Sequence, residues 1–211
     1  MEIYLPTAVE TEKLGNLLGK LAQSGDVFCF TGDLGAGKTL MSRGISLALG
    51  VAEEDVTSPT FAIMNVYDGE ELEVRHFDLY RLNRPEELED IGFDEYAGGE
   101  GVTLIEWAEL FSEQLPEEYL QVTLLLDGAG RKAVLTANGE RYEELLQEVM
   151  KRFYNRSKSF VFDPAVAKFR TYFGRIINGL IIDIKRKRIK NTVSDDVLES
   201  VAAEEPAPDE L

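Results

Sequence analysis

An α/β fold with a central, mostly parallel sheet is predicted by three features of the 211-residue sequence. Val27–Thr31 is a short apolar run of strand length, and the residues from Lys38 to Gly50 carry helical periodicity. Between them lies a glycine-rich turn, GDLGAGKT. Further apolar segments of strand length recur at residues 72–77, 102–105 and 120–126, with turns and helical stretches between them. Strand, tight glycine turn and helix in that order form the phosphate-loop arrangement. The expected architecture is therefore a three-layer, phosphate-loop NTPase-like sheet with helices on both faces, a strand hairpin over residues 61–77 and a C-terminal helical extension.

Each element has its own signal. Residues 2–5 read as a first strand, and Thr7-Ala8-Val9-Glu10 is a capping box opening a helix with Leu14, Leu17, Leu18 and Leu21 on one face. Ser24-Gly25-Asp26 turns that helix into Val27–Thr31, and Gly50 closes the second helix as a C-cap. Residues 61–67 and 72–77 alternate as strands about Asp68-Gly69, a hairpin signal. Pro85 opens a short acidic helix over 86–91, and Gly98 to Gly101 form a loop before the strand that ends at Glu106-Trp107. Residues 120–126 and 131–136 pair about Asp127-Gly128, and residues 140–153 form the last helix of a first domain, 1–150.

The turn at 32–39 fits G-x-x-x-x-G-K-[ST], whose glycines let successive backbone N–H groups point at phosphate oxygens. The helix N-terminus adds partial positive charge, Lys38 reaches the β- and γ-phosphates, and the Thr39 hydroxyl ligates Mg²⁺. Such a site needs a second acid, a group to orient water and a γ-phosphate sensor. Glu106 ends an apolar strand where that acid belongs, although acids at strand ends are also ordinary solvated residues. Asp78 ends another strand and competes with a turn-capping role before Leu79-Tyr80-Arg81. Thr57, Ser58 and Thr60, stiffened by Pro59, suit a sensor loop. His76, the single histidine, reads as structural because no local carboxylate orients it, and Trp107 reads as packing.

Composition bounds the rest. Hydrophobic content of 44% and charged content of 29% suit a soluble protein, no apolar run nears the roughly 18 residues of a membrane span, and a cytoplasmic setting is expected. Cys29 lies within a strand and reads as a small buried hydrophobe. The net charge of −17 is uneven: residues 1–150 carry −20, residues 151–190 carry +10 and residues 191–211 carry −7. An acidic body grips nucleic acid poorly without help, because phosphate contacts dominate that affinity.

GDLGAGKT at 32–39, TSPTF at 57–61, HFDLYR at 76–81 and IEW at 105–107, in this order and spacing, resemble TsaE, also called the YjeE family. Arg43-Gly44, PEEL at 85–88 and IGFDEY at 91–96 add to the resemblance, which covers about residues 3–150. That family is the small ATPase of bacterial tRNA threonylcarbamoyladenosine biosynthesis. The resemblance implies ATP and Mg²⁺ as cofactors. It implies nucleotide contacts from Thr11, Asp33, Leu34, Gly35, Ala36, Gly37, Lys38, Thr39, Leu40 and Arg131, with Thr39 and Glu106 on the metal. Lys38, Thr60 and Asp78 are the expected hydrolytic residues. Leu40 departs from the family's frequent second Thr. The implied partners are the TsaD–TsaB heterodimer, which modifies adenosine 37, with tRNA met through that complex and no membrane. The loop, Glu106, Asp78 and the 57–60 stretch also stand out by their own chemistry and spacing, whereas Thr11 and Arg131 rest on the resemblance alone.

Residues 151–190 follow a different pattern. Phe162-Asp163-Pro164, residues 168–173, an Ile-rich helix and the basic run at 185–188 resemble part of sigma factor region 2 over roughly 155–190. Ile176, Ile177, Leu180, Ile181 and Ile184 recur at helical spacing. The run from Lys185 to Lys190 offers a surface for nucleic acid, with a solvated basic face the weightier alternative. Residues 191–211 read as an acidic disordered tail.

Overall fold

The computed structural model describes residues 1–158, with side chains through residue 152. The basic run 185–190, the sigma-like segment beyond 158 and the acidic tail lie outside the described residues. In chain order the elements are β1 (Glu2–Leu5), α1 (Ala8–Gly19), β2 (Val27–Thr31), α2 (Lys38–Ala48), β3 (Met64–Asp68), β4 (Glu73–Asp78), α3 (Glu86–Asp90), α4 (Phe93–Tyr96), β5 (Val102–Glu106), β6 (Tyr119–Asp127), β7 (Gly130–Asn138) and α5 (Glu140–Lys158), with short 3₁₀ turns at Leu79–Arg81 and Ala108–Phe111.

The seven strands form one sheet in the order β1-β7-β6-β2-β5-β4-β3. β6, β2, β5 and β4 run parallel to one another, while β7, β1 and β3 add antiparallel edges. β2, the central strand, is buried from Val27 to Phe30 and reads as the continuous apolar run of a strand covered on both faces. Phe28 and Phe30 face one way, into a core with Leu14 and Leu18 of α1, Met41 and Ile45 of α2, and Leu145 and Val149 of α5. Val27 and Cys29 face the other way, toward Phe77, Leu79, Leu88, Phe93, Ile105 and Phe111. That second face is covered by short helices and 3₁₀ turns rather than long helices. Full burial of each such side chain contributes roughly 1.5–3 kcal/mol.

Helix α1 starts as its capping pattern predicts: the Thr7 hydroxyl accepts from the Val9 amide at 3.2 Å and donates to the Glu10 carboxylate at 2.5 Å. α1 and α2 then meet backbone to backbone. A Cβ on Gly15 would stand 2.3 Å from the Met41 carbonyl oxygen, and one on Gly44 would stand 2.3 Å from that of Glu12. α5 is tied to the start of β2, where the Tyr142 hydroxyl accepts from the Val27 amide at 2.6 Å and Arg141 pairs with Asp26 at 2.6 Å.

Two boundaries differ from expectation. Residues 61–63 are not strand, because Ile63 turns into the left-handed region at φ 68°, its amide donating to Pro59 and its carbonyl accepting from Asp78. β3 therefore begins at Met64. The last helix continues to Lys158 rather than ending at 153. Register pairs Asp78 of β4 with Glu106 of β5, so two acids stand side by side at the carboxyl edge of the parallel strands, where β2 runs into the glycine loop.

Candidate functional site

The loop between β2 and α2 holds its shape through the backbone. Gly32, Gly35 and Gly37 take φ values of 131°, 78° and 110°, a region that side-chain-bearing residues avoid. Arg131, from β7, donates Nε–H to the Ala36 carbonyl at 3.1 Å and a terminal N–H to that of Gly35 at 3.3 Å, bracing the loop from behind. Thr11 of α1 is fully buried against Gly37, and its hydroxyl makes no hydrogen bond. Asp33, Leu34, Gly35 and Thr39 are exposed and Leu40 is half-buried, with Leu34 at the tip 81% exposed.

Lys38, only 5% exposed, folds back on its own loop. Its ammonium donates to the carbonyls of Gly32 at 2.5 Å and Asp33 at 3.1 Å and lies 3.5 Å from the centroid of the Trp107 ring. The Tyr80 ring also lies against Trp107, with centroids 4.8 Å apart and planes tilted by 39°. Burial pushes the Lys38 ammonium below the usual lysine range, while Glu106, Glu109, Asp78 and Asp33 pull it back. Trp107, expected to pack, does pack against the second core, and its indole also forms the cation–π ceiling over Lys38. It does so from a left-handed backbone at φ 61°; Ile63 and Trp107 are the two non-glycine residues with positive φ among those described, and both border this site.

The opposite wall comes from the ends of β4 and β5. Glu106, 2% exposed, accepts from the Thr39 hydroxyl at 2.9 Å through Oε2 and from the Ser42 hydroxyl at 3.3 Å through Oε1. His76 Nε2 donates to that same Oε1 at 2.7 Å. The reason given for reading His76 as structural is thus corrected: its carboxylate comes from a neighbouring strand, 30 residues along the chain. Asp78 accepts from the Thr60 hydroxyl at 2.5 Å and from the Tyr80 amide at 3.1 Å, so one oxygen caps the turn that follows while the other meets the 57–60 loop. Ser58 and Thr60 share a hydroxyl contact of 2.8 Å, and the Tyr67 hydroxyl donates to the Thr57 carbonyl at 2.6 Å.

The structure therefore brings Lys38, Thr39, Glu106, Asp78 and Thr60 to one edge of the sheet, with Thr11 and Arg131 on the flank of the loop. Sequence reasoning missed Ser42, Tyr67 and the Gly32 amide contact to Glu109 at 3.4 Å. Ser42 had a weak signal, one helical turn after Lys38; Tyr67 and Glu109 had none. Among the described residues no group of three or more His, Cys, Asp or Glu side chains is placed to hold a metal, so a cation here would rest on the Thr39 hydroxyl and the Glu106 carboxylate. Both are hard oxygen donors, the set that suits Mg²⁺ held jointly with substrate phosphates. No helix among the described residues is long and apolar enough to cross a membrane.

The chain is 44% identical over 141 residues to the tRNA threonylcarbamoyladenosine biosynthesis protein TsaE of Bacillus subtilis, covering 66% of this chain and 87% of that one. It is 39% identical over 131 residues to the protein of the same name from Treponema pallidum, covering 62% and 96%. The crystal structure of Bacillus subtilis YdiB matches with a TM-score of 0.61 at 35% identity, over 72% of this chain and 95% of that one. A model of sigma-70 region 2 matches residues 129–190, a longer span than the motifs indicated, beginning one residue before β7. The family model of the threonylcarbamoyl adenosine biosynthesis protein TsaE matches residues 5–133, more than half of the sequence, and the chain belongs to the TsaE family.

Proposed function

We propose that this chain is a Mg²⁺-dependent ATPase of tRNA N6-threonylcarbamoyladenosine formation at position 37, acting with the TsaD–TsaB heterodimer to reset that complex between turnovers. One observation carries the reading: β5 delivers the Glu106 carboxylate to the Thr39 hydroxyl at 2.9 Å, so the two walls meet at the foot of the glycine loop. Mg²⁺ held by these residues would supply charge neutralisation on the β- and γ-phosphates. The chain's own residues do the rest. Lys38 exchanges the Gly32 and Asp33 carbonyls for phosphate oxygens, and the loop N–H groups receive the remaining negative charge. Asp78 orients the attacking water, with the Thr60 hydroxyl as its neighbour. The water oxygen bonds to the γ-phosphorus, the bond to the β–γ bridging oxygen breaks and leaves that oxygen on ADP, and both of the water's protons depart with inorganic phosphate as H₂PO₄⁻. The names of the relatives support the tRNA pathway, and the −20 balance of residues 1–150 suits a protein whose tRNA is held by partners. Such a role places the chain in the cytoplasm.

The test is ATP hydrolysis by the full chain with Mg²⁺, with and without purified TsaD–TsaB. Slow turnover alone and faster turnover with the pair is the expected result; a chain that binds no nucleotide would overturn the reading. A second reading, an ATP-gated assembly module whose hydrolysis is incidental, draws on Asp78, both of whose oxygens are engaged by Thr60 and Tyr80. Partner binding that survives loss of Asp78 but not of Lys38 favours that gate.

A further inference from the structure

We propose that His76 is a positioning residue that holds Glu106 in the orientation the metal requires, an inference resting on the Mg²⁺–nucleotide reading above. His76 sits in mid-strand on β4, fully buried, and is the single histidine of the sequence. Its Nε2 and the Ser42 hydroxyl, at 2.7 and 3.3 Å, converge on the same Glu106 oxygen, Oε1. The other oxygen, Oε2, is thereby turned toward Thr39. Glu106 is thus divided into an inner oxygen held by the protein and an outer one facing the proposed ligand position. A buried carboxylate with free torsions has no reason to keep that division unless donors enforce it.

The histidine is itself clamped. The Tyr67 hydroxyl lies 3.5 Å from its Nδ1, and Tyr67 is fixed by its bond to the Thr57 carbonyl. Asn65 reinforces that junction, donating to the Thr57 hydroxyl and to Tyr67 at 3.1 Å each. The imidazole therefore spans from the strand that carries the acid to the strand that anchors the 57–60 loop. Outer partners of metal-ligating groups fix ligand orientation, and their loss typically costs about 10–100-fold in metal affinity.

The experiment uses the full chain and a fluorescent ATP analogue, titrated in EDTA and across a range of Mg²⁺ concentrations, for wild type, His76→Ala and His76→Gln. H76A is expected to need about 10–100-fold more Mg²⁺ for the same gain in nucleotide affinity, with affinity in EDTA unchanged. H76Q, whose side-chain N–H reaches a similar position, is expected to recover most of the loss. Because the chain has one histidine, selectively ¹⁵N-labelled histidine reports on His76 alone, and its ring signals should move when Mg²⁺ is added to the nucleotide-loaded wild type. A folded H76A with the wild-type Mg²⁺ requirement overturns the proposal. If H76A does not fold, ring signals of the wild type that stay still on Mg²⁺ addition overturn it instead. A wild type that binds no nucleotide overturns the parent reading as well, which separates the two failures.

Discussion

The 32–39 loop presents its groups from eight consecutive residues, whereas the wall facing it draws Thr60, His76, Asp78 and Glu106 from three separate stretches of chain. The loop works through backbone: left-handed glycines, carbonyls turned to Lys38 and Arg131, and a helix start. The facing wall works through side chains, held by other side chains or, at Asp78, by the Tyr80 amide two residues along. In the proposed reaction the first wall binds the phosphates and the second acts on them, and a single substitution can rewire the second without touching the first.

Substitutions can separate these two parts. The largest effect is expected for Asp78→Asn, which keeps the cap to the Tyr80 amide but removes the charge: ATP hydrolysis should fall about 10²–10⁴-fold in a steady-state assay, while nucleotide affinity stays near wild type. Lys38→Met strikes the other wall. With charge-assisted contacts each contributing roughly 1.5–3 kcal/mol, nucleotide affinity should fall by about 10²-fold, measured by equilibrium titration, with or without Mg²⁺. If Asp78→Asn weakened binding as much as Lys38→Met, the two walls would not be separable. The smallest effect is expected for Gly44→Ala, which forces a methyl against the Glu12 carbonyl. Overpacking of this kind costs about 1–3 kcal/mol, and a chain of this size loses roughly 2–4 °C of melting temperature per kcal/mol. Nucleotide affinity below the melting range should be retained.

The same division explains what could be read from the sequence. The loop was legible because its chemistry is contiguous: strand, glycines, lysine and threonine occur at fixed spacing, and the structure places them as expected. Glu106 and Asp78 were legible as acids ending apolar strands, since chain direction puts strand ends at one edge of a parallel sheet. The order of strands was not legible, and it alone makes Asp78 and Glu106 neighbours and gives His76 its carboxylate. Ile63 shows a related limit. Alternation from 61 to 67 looked like strand, but tertiary hydrogen bonds to Pro59 and Asp78 turned the first three residues into the margin of the site. Thr11 and Arg131 came from family resemblance; in the fold, one is buried behind the loop and the other braces it through carbonyls.

The seam between α1 and α2 bears on motion. At Gly15 and Gly44 one helix backbone rests directly on the other, with no side chain between to bend or change rotamer. Sliding α2 by an ångström would drive carbonyl oxygens into Cα atoms, and packed interiors do not absorb such strain gradually. The glycine loop, carried on the first turn of α2, thus stands on a fixed anvil. In the proposed ATPase cycle, displacement falls instead on the β3–β4 hairpin, the short helices and the 57–60 loop, whose contacts run through side chains.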